Sequence, residues 1–160
     1  MKTSELKELL YSTFGHLDDK QLAALTLYGE ARGETKAGKI AVCSVILERV
    51  DHRKWDGKTI QEVCLCPYQF SCYLPKDPNF KALKLIAENW EEKFKTSLDL
   101  QACYHVASDL IDGIFPRTTE IAETHCCQYL TTKLRQSKKC PQWVNDMKLI
   151  LTEGAHEFYT

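Results

Sequence analysis

No stretch of this chain approaches the roughly 20 consecutive apolar residues that a helix needs to cross a bilayer, which excludes helical membrane insertion. The opening residues, Met1-Lys2-Thr3-Ser4-Glu5-Leu6-Lys7-Glu8, mix charges and hold no apolar segment, so a secretory leader of the usual kind is excluded as well. The expectation is a chain made in the cytoplasm with no address of its own for leaving it. An excess of one charge is also missing. Lys and Arg number 21 against 22 Asp and Glu, a formal net charge of -1, whereas a nucleic-acid module would be clearly basic. Internal repeats, low-complexity segments and linkers are absent too. Residues 1-160 are therefore read as a single domain, long enough to bury roughly two-thirds of its unfolded surface.

Cysteine is in excess, with eight residues at 43, 64, 66, 72, 103, 126, 127 and 140. Disulfides lose their context without a leader. The Cys64, Cys66 and Cys72 spacing misses the two to four residues that usually separate paired zinc ligands, and Cys126-Cys127 has no answering pair. Cys103 with His105, or Cys126 with His125, could be a nucleophile and base, but such partners rarely neighbour each other in sequence. Small buried hydrophobes is the preferred reading, with no metal and no cofactor.

Residues 25 to 34, Leu-Thr-Leu-Tyr-Gly-Glu-Ala-Arg-Gly-Glu, put a carboxylate where a helix disfavours one. The stretch from Asp18 to Tyr28 is apolar nearly all round beyond Gln21, the pattern of a buried helix. Glu30 falls at its far end, where the dipole is negative. Desolvation and the dipole both favour the protonated acid, which is the form a general acid needs. The alternative is a helix that stops at Tyr28 and leaves Glu30 in a solvated loop.

Elsewhere the pattern is mostly helical. Ser4 can cap an amphipathic helix through Leu6, Leu9, Leu10 and Phe14, ended by Gly15. Ile40, Cys43, Ile46, Leu47 and Val50 mark a second long helix, and Thr59 caps a short one through Ile60 and Val63. Residues 66 to 75 lie between two prolines and read as an ordered loop whose Tyr68, Phe70 and Tyr73 either pack on the core or line a groove. One helix is expected from Asn79 through Trp90 and another from Leu100 to Ile111. Thr118-Thr119, the stretch around His125, residues 129 to 132, residues 148 to 151 and Phe158-Tyr159 look like short strands. The four basic residues between Lys133 and Lys139 read as a solvated loop. A helical body followed by a small irregular β part gives an α+β fold class.

Tyr28-Gly29-Glu30-Ala31-Arg32-Gly33-Glu34, followed by Gly38-Lys39-Ile40-Ala41-Val42, resembles the opening of the cell wall hydrolase family typified by the spore cortex-lytic enzyme SleB. Gln69-Phe70-Ser71-Cys72-Tyr73 is similar to that family's Gln-Phe-Ser-Cys-Trp segment, and Thr124-His125 to its Ala-Thr-His-Tyr strand. Pro141-Gln142-Trp143 and Gly154-Ala155-His156-Glu157-Phe158-Tyr159 resemble the segments near its C-terminus. Cys126 and Cys127 stand where the family has aromatics, and the segment 128 to 140 is lengthened. The resemblance implies a lysozyme-like fold that cleaves the glycan strands of peptidoglycan between N-acetylmuramic acid and N-acetylglucosamine, with Glu30 as the catalytic residue.

Gln69, Ser71, Thr124 and His125 are the candidates for hydrogen bonds to sugar, and Phe70, Tyr73 and Trp143 for apolar walls, with Tyr28 and Glu34 beside them. The competing reading of each is a satisfied structural residue. Ordinary glycosidases use two carboxylates, about 5 Å apart for retention and more than about 6 Å for inversion. Gly33 interrupts the helix before Glu34, so a pair is not assured. A lytic transglycosylase needs only Glu30, first as acid and then as base toward the muramic 6-hydroxyl. A hydrolytic muramidase using Glu30 and Glu34, a non-catalytic glycan-binding or virion structural protein, and a cysteine amidase are the alternatives. The missing leader suits a phage endolysin or virion lysin, monomeric, with a holin or virion proteins as partners; a leaderless spore enzyme is the other setting.

Overall fold

The computed structural model describes residues 1–53 and 57–160. Its centre is the helix α2, Asp19–Ala31, in which Leu22, Leu25 and Leu27 are wholly buried. Asp18 accepts from the Gln21 N–H at 2.8 Å while the Gln21 side chain accepts the Asp18 N–H at 3.0 Å, a reciprocal cap that fixes where the helix starts. Around it stand α1 (Thr3–Phe14), α3 (Lys36–His52), α4 (Ile60–Cys64), α5 (Phe80–Glu88), α6 (Trp90–Thr96) and α7 (Leu98–Ile111). Thr35, Thr59 and Ser97 cap α3, α4 and α7 through their side-chain oxygens. Every residue of α3 from Gly38 to Arg49 is buried, so the helix is enclosed rather than striped. Among the described residues no helix is long and apolar enough to cross a membrane.

The last third holds α8 (Thr119–Thr124), β1 (Gln128–Thr131), α9 (Thr132–Arg135), β2 (Leu149–Glu153) and β3 (His156–Tyr159). The strands form one antiparallel sheet in the order β1-β3-β2, with Tyr129 opposite Phe158 and Thr131 opposite His156. A small second core of Leu130, Val144 and Tyr159, with Trp143 against it, lies under this sheet. The α+β class and the irregular C-terminal β part are as expected.

Three local expectations change. Ser4 lies inside α1, which begins after Lys2, whose backbone N–H donates to Glu5 Oε2 at 2.8 Å. The helix from Asn79 breaks at Asn89, and this turns Trp90 and Phe94 onto Tyr104 of α7. Thr118 is the N-cap of a helix, and Thr119 and the residues before His125 are helix, not strand. The Thr118 N–H is held by Ser44 Oγ at 2.9 Å, Ile121 plugs the core, and His125 ends the turn in the left-handed region at φ 52°.

Candidate active site

Helix α2 continues to Ala31, so Glu30 sits in its last turn. Gly29 explains how the carboxyl is reached. A Cβ there would stand 2.6 Å from Cys72 Cβ, closer than atoms pack. Without one, the 3-10 turn Ser71–Tyr73 closes on the helix and the Cys72 N–H donates to Glu30 Oε1 at 3.2 Å. From the other side the Tyr129 hydroxyl, on β1, donates to Glu30 Oε2 at 3.1 Å. Helix, loop and sheet thus clamp one carboxyl group. Burial first, and the neighbouring Glu30 second, push the Tyr129 phenol well above its ordinary range, so it stays a proton donor.

Past Ala31 the chain turns, and Glu34 leaves the helix face. Its Oε1 accepts the Ala155 N–H at 3.1 Å and lies 3.2 Å from His156 Nδ1. That second approach lacks hydrogen-bond geometry, and Nδ1 is a buried polar atom in electrostatic contact only. Burial lowers the His156 imidazole against the upward pull of Glu34 and Glu30, so the ring is neutral at neutral pH. Gly154 has φ +57°, and a Cβ added there would collide with Glu34 Oε2. Glu34 is therefore fastened to the turn between β2 and β3.

Two cavities meet at Glu30. One, of about 390 Å³, is lined by residues including Glu34, Asn79 and Ala155; the other, of about 490 Å³, by residues including Arg49, Tyr68, Gln69, Ser71, Tyr129 and Trp143. Glu30, Thr131 and His156 line both. Among the described residues the larger cavity has no other carboxylate on its wall. Arg49 stacks over Phe70 at 4.8 Å and donates from Nε to the Cys127 carbonyl. Its buried Nη1 has no hydrogen-bond partner among the described residues.

Gln69, Ser71, Trp143 and Glu34 therefore reach the cleft around Glu30, and five expected site residues do not line it. Phe70 and Tyr73 are each 2% exposed. Phe70 supports Arg49 from below, and the Tyr73 ring packs on Phe14 with its hydroxyl 2.9 Å from Thr26 Oγ1. They form the floor of the loop, because aromatic area of that size is worth more in the core than on a wall. Tyr28 lies under the Arg32 guanidinium, which also donates to the Tyr28 carbonyl and to Asn79 Oδ1. Thr124 and His125 end α8, and His125 turns to Glu48 of α3. Tyr129, His156 and Arg49 are the site residues that sequence reasoning missed. His156 stood inside a quoted motif, and the Glu48-Arg49 pair within an apolar helix was a visible signal of a buried charge with a task.

The buried cysteines are poorly placed as nucleophiles. Burial pushes the Cys43, Cys64 and Cys103 thiols up to about 12. Cys126 Sγ donates to the Gln128 and Tyr159 carbonyls and not to His125. Cys72 is raised well above its ordinary value by burial and then by Glu30. A buried thiol kept protonated is a poor nucleophile, which weighs against Cys103 in the cysteine–histidine pairs that the sequence offered.

A family model described as Cell Wall Hydrolase matches residues 33–159. The match starts three residues beyond Glu30. Two solved structures share the fold. The catalytic domain of the germination-specific lytic transglycosylase SleB from Bacillus anthracis is 22% identical, with a TM-score of 0.59 over 89% of this chain and 93% of that one. The catalytic domain of the Bacillus cereus SleB protein is 24% identical, with a TM-score of 0.58 over 89% of each chain. No curated protein sequence matches the chain.

Proposed function

We propose that this chain, which belongs to the Cell Wall Hydrolase family, cleaves the glycan strands of peptidoglycan between N-acetylmuramic acid and N-acetylglucosamine as a lytic transglycosylase. One observation carries the reading: among the described residues Glu30 is the single carboxyl group common to two adjoining cavities, with a protein donor on each oxygen. The fold is that of domains one of which is described as a lytic transglycosylase.

The protonated Glu30 gives its proton to the glycosidic oxygen as the bond from muramic C1 to that oxygen breaks. The sugar leaves as an alcohol and C1 becomes electron-poor. Glu30, now a carboxylate held by the Cys72 N–H and the Tyr129 hydroxyl, takes the proton from the muramic 6-hydroxyl. O6 closes on C1, giving a 1,6-anhydro ring and returning Glu30 to its acid form. No water and no second carboxylate enter. Gln69 and Ser71 supply polar groups along the larger cavity, Trp143 an apolar wall, and Arg49 a positive charge suited to an acidic substituent of the strand.

A suspension of purified cell walls should lose turbidity on addition of the protein; a glycan-binding or structural protein leaves it unchanged. Tyr129→Phe tests the clamp in the same assay. A hydrogen bond to a charged group is worth about 1.5–3 kcal/mol, so removal of the hydroxyl should slow clearance about 10-fold or more. Parent-like clearance by that variant would reduce Tyr129 to a packing residue.

A further inference from the structure

We propose that Glu48, His52 and His125 form a binding site for one zinc-class dication, separate from the cleft, that ties the start of β1 to helix α3. The three offer ligand atoms within 4.8 Å of one another, and none of them lines either cavity at Glu30. Glu48 and His52 are four residues apart on α3, which puts them on one face of the helix. His125 comes from α8, held in the left-handed region that few non-glycine residues adopt.

The distances suit a metal. His52 Nε2 lies 3.3 Å and His125 Nδ1 3.2 Å from the same oxygen, Glu48 Oε2. Zinc bonds of about 2.0–2.1 Å in a tetrahedron set ligand-to-ligand edges of about 3.3 Å. The two imidazoles, with ring centroids 3.9 Å apart, each bring a nitrogen to that one carboxylate oxygen, and all three ligand atoms lie within 4.8 Å of one another. Two histidines and one carboxylate are also a donor set that zinc accepts, with a fourth position left for water.

The surroundings are built in the same sense. Glu48 is buried, its side chain 3% exposed, while His52 and His125 are 43% and 58% exposed and admit an ion from solvent. Arg117 Nη1 holds the other oxygen of Glu48 at 2.7 Å, which fixes the carboxylate and leaves Oε2 to the histidines. Asp51 takes the second Arg117 nitrogen at 2.6 Å, so the group keeps a net negative charge when the imidazoles are neutral. Arg49 and Arg53 are turned away from it, toward the Cys127 carbonyl. That carbonyl lies two residues beyond His125, so an ion here would stiffen the segment that leads into β1 and Tyr129.

Titration calorimetry of the full, reduced chain with Zn²⁺ tests the site. One equivalent should bind, and His52→Gln or His125→Asn should each weaken binding by at least about 100-fold. Both side chains are exposed, and asparagine tolerates the left-handed position, so both variants keep the fold. Co²⁺ in place of zinc should give a tetrahedral visible spectrum with no thiolate charge-transfer band. Absence of binding by the parent overturns the proposal. So does binding unchanged in both variants, or a thiolate band, since either would assign the ion to the cysteines.

Discussion

Glu30→Gln loses at least about 100-fold of the rate at which purified walls are cleared, with its fold intact. The substitution keeps the size and planarity of the side chain. Its carbonyl oxygen can still accept from the Cys72 N–H while its NH2 group faces the Tyr129 oxygen, which can turn to accept, but the amide neither gives nor takes the proton that the proposed reaction moves twice. General acid–base groups contribute about 100- to 10,000-fold, and in the proposed mechanism one group supplies both steps, so the loss should fall in the upper part of that range. Glu34→Gln is the informative partner. Glu34 is tied to the Ala155 N–H and lies 3.2 Å from His156 Nδ1, and in the proposed mechanism it positions the turn rather than moving a proton. Its loss should cost far less activity than that of Glu30, with part of the effect appearing as lower stability.

Phe70→Ala should cost about 3–5 kcal/mol of folding stability, read as a lowered midpoint in denaturant. The ring is 2% exposed and carries the Arg49 guanidinium at 4.8 Å, so truncation opens a void and loosens a buried charge together. A groove wall would behave differently: weaker substrate binding, with stability changed by less than about 1 kcal/mol as for other surface positions. Parent-like stability in Phe70→Ala would return this residue to the cleft and contradict its place in the floor.

What the sequence revealed follows the range of the forces involved. The buried helix ending at Glu30 was legible because its apolar pattern and the Asp18 cap are local. So were the threonine cap of α4 and the proline-bounded loop. Helix α8 was not, because its threonines hide the helix formers Glu120, Ala122 and Glu123, and its anchor, Ser44, lies 74 residues away. The partners of Glu30 were split in the same way. Cys72 stood in one short motif with Gln69 and Ser71. Tyr129 reaches Glu30 across 99 residues, through a sheet register that no local pattern fixes. His125 failed as a cleft residue for the converse reason: the end of a short helix aims it at Glu48, a partner visible only in three dimensions.

Whether one carboxyl group serves as both acid and base is read from the mass spectrum of the muropeptides released from purified walls. Each new muramic end should be the 1,6-anhydro form, lighter by one water and inert to borohydride. New muramic ends that borohydride reduces throughout would mean that water attacked C1, which would contradict the single-carboxylate mechanism and give Glu34 the second catalytic role.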